Sequence, residues 1–422
     1  MTAGAPGSLV GNVTMHALAD FFPALAESTA LLLVALAAAP LAARIRVPGP
    51  AAFLFVGVIA GRMGMRPFDV SIDGIEQVGV IALYIILFQG GLATGYAAWR
   101  SQARPILLLG LPGTALTAGA LAVTGRLIGL DWDIAVLVGV ALAPTDPAAV
   151  YSIMRGRSAG RRARTILEGE SGFNDPVAIS MMVVAIAALG ADGASFADSA
   201  GKLGLELGIG LAGGVLGGLG LRVGLTNLRF LDHEFRAVAF MLGAIVVGAT
   251  TAALHGSGFL AVYLAALLIS DQWQKLQSPG QLPLPEALSA AAEPLLFGVL
   301  GALFAPLVGA EELAYGLVFT LVTVLLVRPV VVTAALFKAP LDPGERSIVS
   351  WGGFKGAVPL LLAGFPALES LDDADRVAAI VLSATAASVL IQGATLAPFA
   401  DRALRANGRG RGPARWRQLG RT

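Results

Sequence analysis

The stretch "EGESGFNDP", residues 168 to 176, sets Glu168, Glu170 and Asp175 with Ser171 and Asn174 directly ahead of the apolar run "VAISMMVVAIAALG". On a helix, Glu170, Ser171, Asn174 and Asp175 fall within an arc of about 140°, so one face presents all four. A charge near the bilayer centre costs roughly 2.5 to 3.5 kcal/mol on insertion scales, which makes each such residue a functional-site hypothesis in need of a partner. Asp146, in "APTDPAAV" (143 to 150), offers a second carboxylate that could face this stripe. Burial and a like-charged neighbour both favour the protonated form of a carboxyl group, and a carboxylate so placed can hold either a proton or a small cation. Oxygen ligands suit a hard alkali cation; Asp175, Ser171 and the carbonyls freed near Thr145 are the donors expected. If the loaded site reorients only when its charge is neutralised, inward and outward fluxes become exchanged. The bland alternative is that these polar groups only bond neighbouring helices together.

Two cations sit in mid-span, Arg328 in "LLVRPVVV" and Lys355 in "WGGFKGAVP". A buried arginine calls for a carboxylate fork, and Glu170 is the natural candidate because it would otherwise be a second uncompensated charge. Lys355, beside interrupted backbone, either neutralises helix C-terminal dipoles or pairs with an acid such as Asp146. Glu293, in "AEPLLFGVLGALFAP", is one further acid in an apolar run and receives no assignment.

The elements that must position these residues follow from the bulk of the chain. Of its 422 residues 56% are hydrophobic and 14% charged, with a mean hydropathy of +0.77, far more apolar than a soluble domain with about a quarter of its residues charged. The expected class is an all-α polytopic membrane protein, a single membrane domain over 1–422. Apolar runs centre near residues 35, 57, 86, 115, 141, 178, 211, 245, 264, 298, 323, 356 and 389, giving about thirteen transmembrane helices. The first run is expected to be a retained helix rather than a cleaved leader. With thirteen spans one side receives most of the 29 basic residues, including Arg44, Arg46, Arg100, Arg104, "RGRSAGRRAR" and the tail 401–422, whereas the other receives Arg62, Arg66, Arg126, Lys202 and Arg376. The positive-inside rule then sets the N-terminus outside and the C-terminus in the cytoplasm.

Spans five and twelve are interrupted, by Pro144 and Pro147 and by the glycines around Lys355. Irregular backbone at membrane depth survives only inside protein or beside a water-filled cavity, and paired interruptions in two halves point to a midplane site. Their offset of seven spans predicts two inverted six-helix repeats, about 24–190 and 236–400, joined by a linking helix at 191–235, with the two broken helices crossing. "GIGLAGGVLGGLG" contains a GxGxxG match, but no strand precedes it; Gly210, Gly214 and Gly218 instead recur every four residues, a pattern for close helix approach. The chain has no cysteine and three scattered histidines, His16, His233 and His255, so neither thiol chemistry nor a histidine metal cluster is expected. The net charge of +1 singles out no partner, and no nucleic acid is expected.

The motifs "LFVGVIAG", "LFQGGL", "APTDPAAV", "EGESGFNDPVAI", "GSGFLAVYLAALLISD", "VRP" and "WGGFKGAVPLLLA", in this order over nearly the whole chain, resemble the monovalent cation:proton antiporters. The resemblance is to the NhaP-like sodium/proton exchanger branch, and most closely to its bacterial potassium/proton-type members. It implies an NhaA/NhaP-like antiporter fold in a bacterial inner membrane, and a homodimer set in lipid whose core moves like an elevator. It implies that the Asn174–Asp175 pair carries ion and proton, that Thr145 and Asp146 form the unwound crossing, that Ser171 is a cation ligand, and that Glu170 with Arg328 is the stabilising pair. Asn174, rather than a second aspartate, matches the branch regarded as electroneutral. Two positions depart from the pattern: Gln89 stands where relatives commonly carry an acid, a possible gate or ligand, and Lys355 stands where an arginine is usual. The expected function is antiport of Na⁺ or K⁺ against H⁺, with no cofactor and no enzymatic step. A passive cation channel, and a non-transporting membrane sensor or scaffold, are the competing classes. The short tail is expected to lack the cytosolic ligand-gating domains of some relatives.

Overall fold

A computed structural model describes residues 15–44, 49–65, 72–146, 161–190, 196–227, 232–276 and 284–406. Residues 147–150 of "APTDPAAV", the basic residues 46, 66, 155 and 157, and the tail beyond 406 lie outside the described residues. Nine helices are long and apolar enough to cross a membrane among the described residues: α1 (Met15–Arg44), α3 (Ile72–Thr94), α5 (Ala103–Leu127), α7 (Arg161–Gly190), α8 (Phe196–Asn227), α9 (His233–Ala253), α11 (Leu284–Phe304), α12 (Ala310–Ala335) and α15 (Ala374–Ala406). Shorter apolar helices are α2 (Gly49–Arg62), α6 (Trp132–Ala141) and α14 (Ala357–Leu368). With α10 (Gly258–Leu276), whose last turns turn polar, a helix stands at twelve of the thirteen expected centres, and the remaining one, residue 356, falls in the break just before α14. The short α4 (Tyr96–Ser101) links α3 to α5, and α13 (Pro343–Trp351) precedes α14.

Local sequence explains the two interrupted spans. Asp342 caps α13, its Oδ1 accepting from the Glu345 N–H at 2.8 Å while the Glu345 side chain accepts from the Asp342 N–H, with Pro343 in the first turn. This is a capping box with proline where a missing amide costs nothing. The helix stops at Gly352, and the chain runs non-helical to Gly356 before α14 resumes. Helix α6 ends likewise at Ala141, ahead of Pro144. The two freed segments meet antiparallel, Asp146 N–H donating to the Phe354 carbonyl at 2.9 Å. The expected crossing is therefore a short backbone bridge, which satisfies amides that neither helix can use.

Helices α5 and α12 contain a feature that composition did not announce, a wide π-turn at Leu109–Gly113 and another at Thr323–Val327. Pro112 lies inside the first and Pro329 just after the second; a proline cannot donate to the carbonyl one turn back, and the ladder slips by one residue there.

Close helix approach follows the small residues. Gly210, Gly214 and Gly218 of α8 meet Ser257, just ahead of α10, and Ala261 and Ala265 within it, where an added Cβ would lie 2.9 Å from the Ser257 carbonyl and 3.0 Å from the Ala265 Cα. Helix α11 rests on α2 in the same way, with Gly57 against the Gly298 carbonyl and Gly61 against that of Ala302. The largest buried cluster joins α6 and the crossing to α11, α14 and α15 through Leu142, Ala143, Phe354, Leu296, Leu300 and Ile380.

Candidate functional site

Glu170, Ser171, Asn174 and Asp175 are all buried on α7 and Glu168 is half-buried there, but the carboxylates meet different environments. Glu170, 1% exposed, faces Arg328, 5% exposed. The two form a fork, with Arg328 Nη1 on Glu170 Oε1 and Nη2 on Oε2 at 2.8 Å. Nη2 also donates to the Val349 carbonyl of α13 at 3.2 Å. The π-turn ends where Arg328 begins, so the slip sets the direction from which the guanidinium reaches α7. Gly353 leaves room for it: a Cβ there would lie 2.7 Å from Arg328 Nε. This arginine thus spans α12, α7 and α13 and lies against the crossing itself.

One turn further along α7, the hydroxyl and amide groups close on the other half of the crossing. Asn174 Nδ2 donates to Thr145 Oγ1 at 2.8 Å, and Ser171 Oγ lies 3.3 Å from the same oxygen. Asn174 Oδ1 is buried without a hydrogen-bond partner. Asp175, 8% exposed, is within electrostatic reach of Asp146 and Lys355, but no hydrogen bond or ion pair holds its carboxylate among the described residues. Gly356 comes so close to Asp146 that a Cβ would collide with its carboxylate. Oxygen atoms of Asp175, Ser171, Thr145, Asn174 and Asp146 are therefore gathered around one stretch of irregular backbone, a donor set that suits a hard monovalent cation or a proton.

Lys355 reaches the helix-end carbonyls that the first reading of its position expects. Its Nζ donates to the carbonyls of Pro144 at 3.2 Å and Ala143 at 3.5 Å, carbonyls left over just past the end of α6. Its positive charge stands at the negative end of that helix dipole. Gln89, half-buried on α3, makes no hydrogen bond to the cluster among the described residues.

Two residues that sequence reasoning passed over support the crossing from α15. Ser388 Oγ accepts from the Lys355 N–H at 3.1 Å and donates to Gln392 Oε1 at 2.6 Å, and Gln392 Nε2 donates to the Trp351 carbonyl at 2.7 Å. Their signal was present as two polar residues four apart in an apolar span. Glu293 on α11 is within electrostatic reach of Asp146, a proximity that no local pattern encodes.

Comparison with known proteins gives a consistent picture. Residues 30–402 match the family model described as sodium/hydrogen exchanger, transmembrane. The chain is 32% identical over 375 residues to the K⁺/H⁺ antiporter NhaP2 of Shewanella oneidensis, covering 87% of this chain and 64% of that protein. It is 30% identical to the K⁺/H⁺ antiporter NhaP of Alkalimonas amylolytica, covering 88% and 65%. It thus spans somewhat less than two thirds of these relatives' length. The solved structure of the sodium proton antiporter MjNhaP1 from Methanocaldococcus jannaschii superposes with a TM-score of 0.73 over 91% of this chain and 99% of that one, at 21% identity. The likeness is one of fold.

Proposed function

The chain belongs to the transmembrane sodium/hydrogen exchanger family, and from that premise we propose that it is a secondary antiporter exchanging K⁺ or Na⁺ for H⁺ at Asp175. The observation that carries the reading is the contrast between two carboxylates on one helix. Glu170 is fully engaged by Arg328, whereas Asp175 is buried with no partner of its own among the described residues, beside hydroxyls and a crossing of irregular backbone. A dry carboxylate without a counter-charge is costly; a proton or a cation removes that cost, and the two compete for the same oxygens. Ser171, Thr145, Asn174 and Asp146 supply further oxygens, and Lys355 holds the end of α6 against the crossing.

Several finer features belong to the same proposal. Exchange is electroneutral, one cation for one proton, since Asn174 occupies the place of a second acid. Movement is of the elevator type, in a homodimer in the cell membrane, with the C-terminus cytoplasmic as the distribution of arginines favours. The repeats 24–190 and 236–400 are inverted; the two π-turns, in the fourth and eleventh spans, add a second pair of irregularities at the offset of seven seen for the broken helices.

The test uses purified protein in proteoliposomes with an imposed pH gradient and a pH-sensitive dye, challenged in turn with K⁺, Na⁺ and Li⁺. The expected result is a cation-dependent proton flux, unaffected by clamping the membrane potential and abolished by Asp175→Ala. Uncoupled cation leak would make it a channel, and no flux with any cation would leave a scaffold.

A further inference from the structure

A cavity of about 140 Å³ lies where α11 and α14 end and α15 begins. Its walls are apolar, with Leu300 and Phe304 from α11, Leu361 and Phe365 from α14, and Ala374 and Ala378 from α15. Small residues create it: a Cβ added at Gly364, in the same wall, would meet no neighbouring element closer than Phe304 Cζ at 3.7 Å. A void of this size and lining stays dry and takes up hydrocarbon. Left empty, it forfeits the dispersion contacts of its walls. It is not sealed, since Leu303 in the wall is exposed and Phe365 and Leu368 are half-buried. From Leu368, the last residue of α14, it extends to Leu361, about 10 Å deeper along the axis.

The rim carries charge of one sign. Asp375 borders the cavity, and Glu369, Asp372 and Asp373 stand in the turn that joins α14 to α15; all four are exposed. None is in an ion pair among the described residues, and the neighbouring Arg376 is committed to Glu311 at 2.7 Å and to the face of the Tyr315 ring. The dipole of α15 favours acids just ahead of it and in its first turn, where Asp373 and Asp375 lie, but Glu369 stands at the negative end of α14. An apolar slot beneath an anionic rim matches an amphiphile with a hydrocarbon chain and a cationic head, and carboxylates accept most strongly from a charged N–H donor. For a chain with nine helices long and apolar enough to cross a membrane among the described residues, the amphiphile at hand is phospholipid. We propose that this cavity is a lipid site, which seats the upper part of an acyl chain while a primary-ammonium headgroup pairs with Asp375 and the acids of the turn. The bound chain fills the gap between α11, which rests on α2 through Gly57 and Gly61, and α14, which follows the crossing. The site goes beyond the antiport reading, and its occupancy does not depend on exchange.

The test adds phosphatidylethanolamine or phosphatidylglycerol, with the same acyl chains, to delipidated protein in detergent and follows the melting midpoint by tryptophan fluorescence. Phosphatidylethanolamine is expected to raise the midpoint saturably, with half-saturation at a roughly threefold lower mole fraction than phosphatidylglycerol, the selectivity of an exposed ion pair. Asp375→Asn shrinks that preference, and Gly364→Leu, which fills the cavity, removes the saturable response to either lipid. Equal half-saturation by the two lipids in wild type overturns the proposal, as does a preference unchanged in Asp375→Asn or a Gly364→Leu variant that responds like wild type. A change of oligomeric state in Gly364→Leu would assign the cavity to a second copy of the chain instead. Ala367→Phe, from the half-buried part of the wall, replaces Gly364→Leu if that variant does not fold.

Discussion

Replacing Arg328 by methionine is expected to cost about 3 to 5 kcal/mol of stability, because it keeps the volume and removes one partner of a buried ion pair. The geometry sets that magnitude. Glu170 is 1% exposed, so neither oxygen can recover water when both guanidinium bonds are lost, and the Val349 carbonyl loses a donor as well. Glu170→Leu leaves the opposite charge stranded and should cost a similar amount. Since a buried pair replaced whole by apolar groups of similar volume is often neutral, Glu170→Leu/Arg328→Met should cost less than either single variant, a coupling of at least about 3 kcal/mol. Arg328→Lys should fall between, keeping charge but losing the fork. The assay is unfolding in mixed micelles titrated with sodium dodecyl sulfate and followed by tryptophan fluorescence. A loss below about 1 kcal/mol for Arg328→Met, or a double variant equal to the sum of its parts, would refute the view that this pair compensates two buried charges.

Other sites give shorter tests. Lys355→Met removes a charged donor from the Ala143 and Pro144 carbonyls and should destabilise by about 1.5 to 3 kcal/mol and slow exchange; a stable, fully active variant would contradict its role in holding the crossing. Gly356→Ala pushes a methyl group into the Asp146 carboxylate and should lower exchange severalfold with a modest stability loss of about 1 to 3 kcal/mol, read by the proton-flux assay beside a melting curve. Gly214→Val drives a branched side chain into Ala261 and Leu264 and should cost about 1 to 3 kcal/mol, whereas the same change at Gly220, which has open space, should be nearly neutral.

Much of this architecture could be read before any coordinates, and the reason is the bilayer. A membrane demands uninterrupted apolar runs, so "APTDP" and "GGFKG" stood out as breaks, and a lone mid-span arginine had few acids to choose from, which brought Glu170 and Arg328 together on paper. What escaped depended on distance in sequence or on hydrogen-bond geometry. The π-turns at Leu109–Gly113 and Thr323–Val327 differ from plain helix by a one-residue slip, for which the adjacent prolines are only a partial signal. The contact of Lys355 with the carbonyls at the end of α6 depended on how two segments more than 200 residues apart are packed. Ser388 and Gln392 read as unremarkable polar residues until Trp351 and Lys355 were placed beside them. Glu293 was visible as an odd acid, but its neighbour Asp146 was not.

The measurement that bears most directly on single-site competition is the apparent KM for the transported cation as a function of pH, taken in proteoliposomes with equal pH on both sides and a cation gradient as the driving force. If a proton and a cation exclude each other at Asp175, each tenfold rise in proton concentration on the acid side raises that KM tenfold and leaves Vmax unchanged, and Asp175→Asn carries no coupled flux at any pH. A KM that stays flat while Vmax titrates, or coupled exchange surviving in Asp175→Asn, would contradict the account.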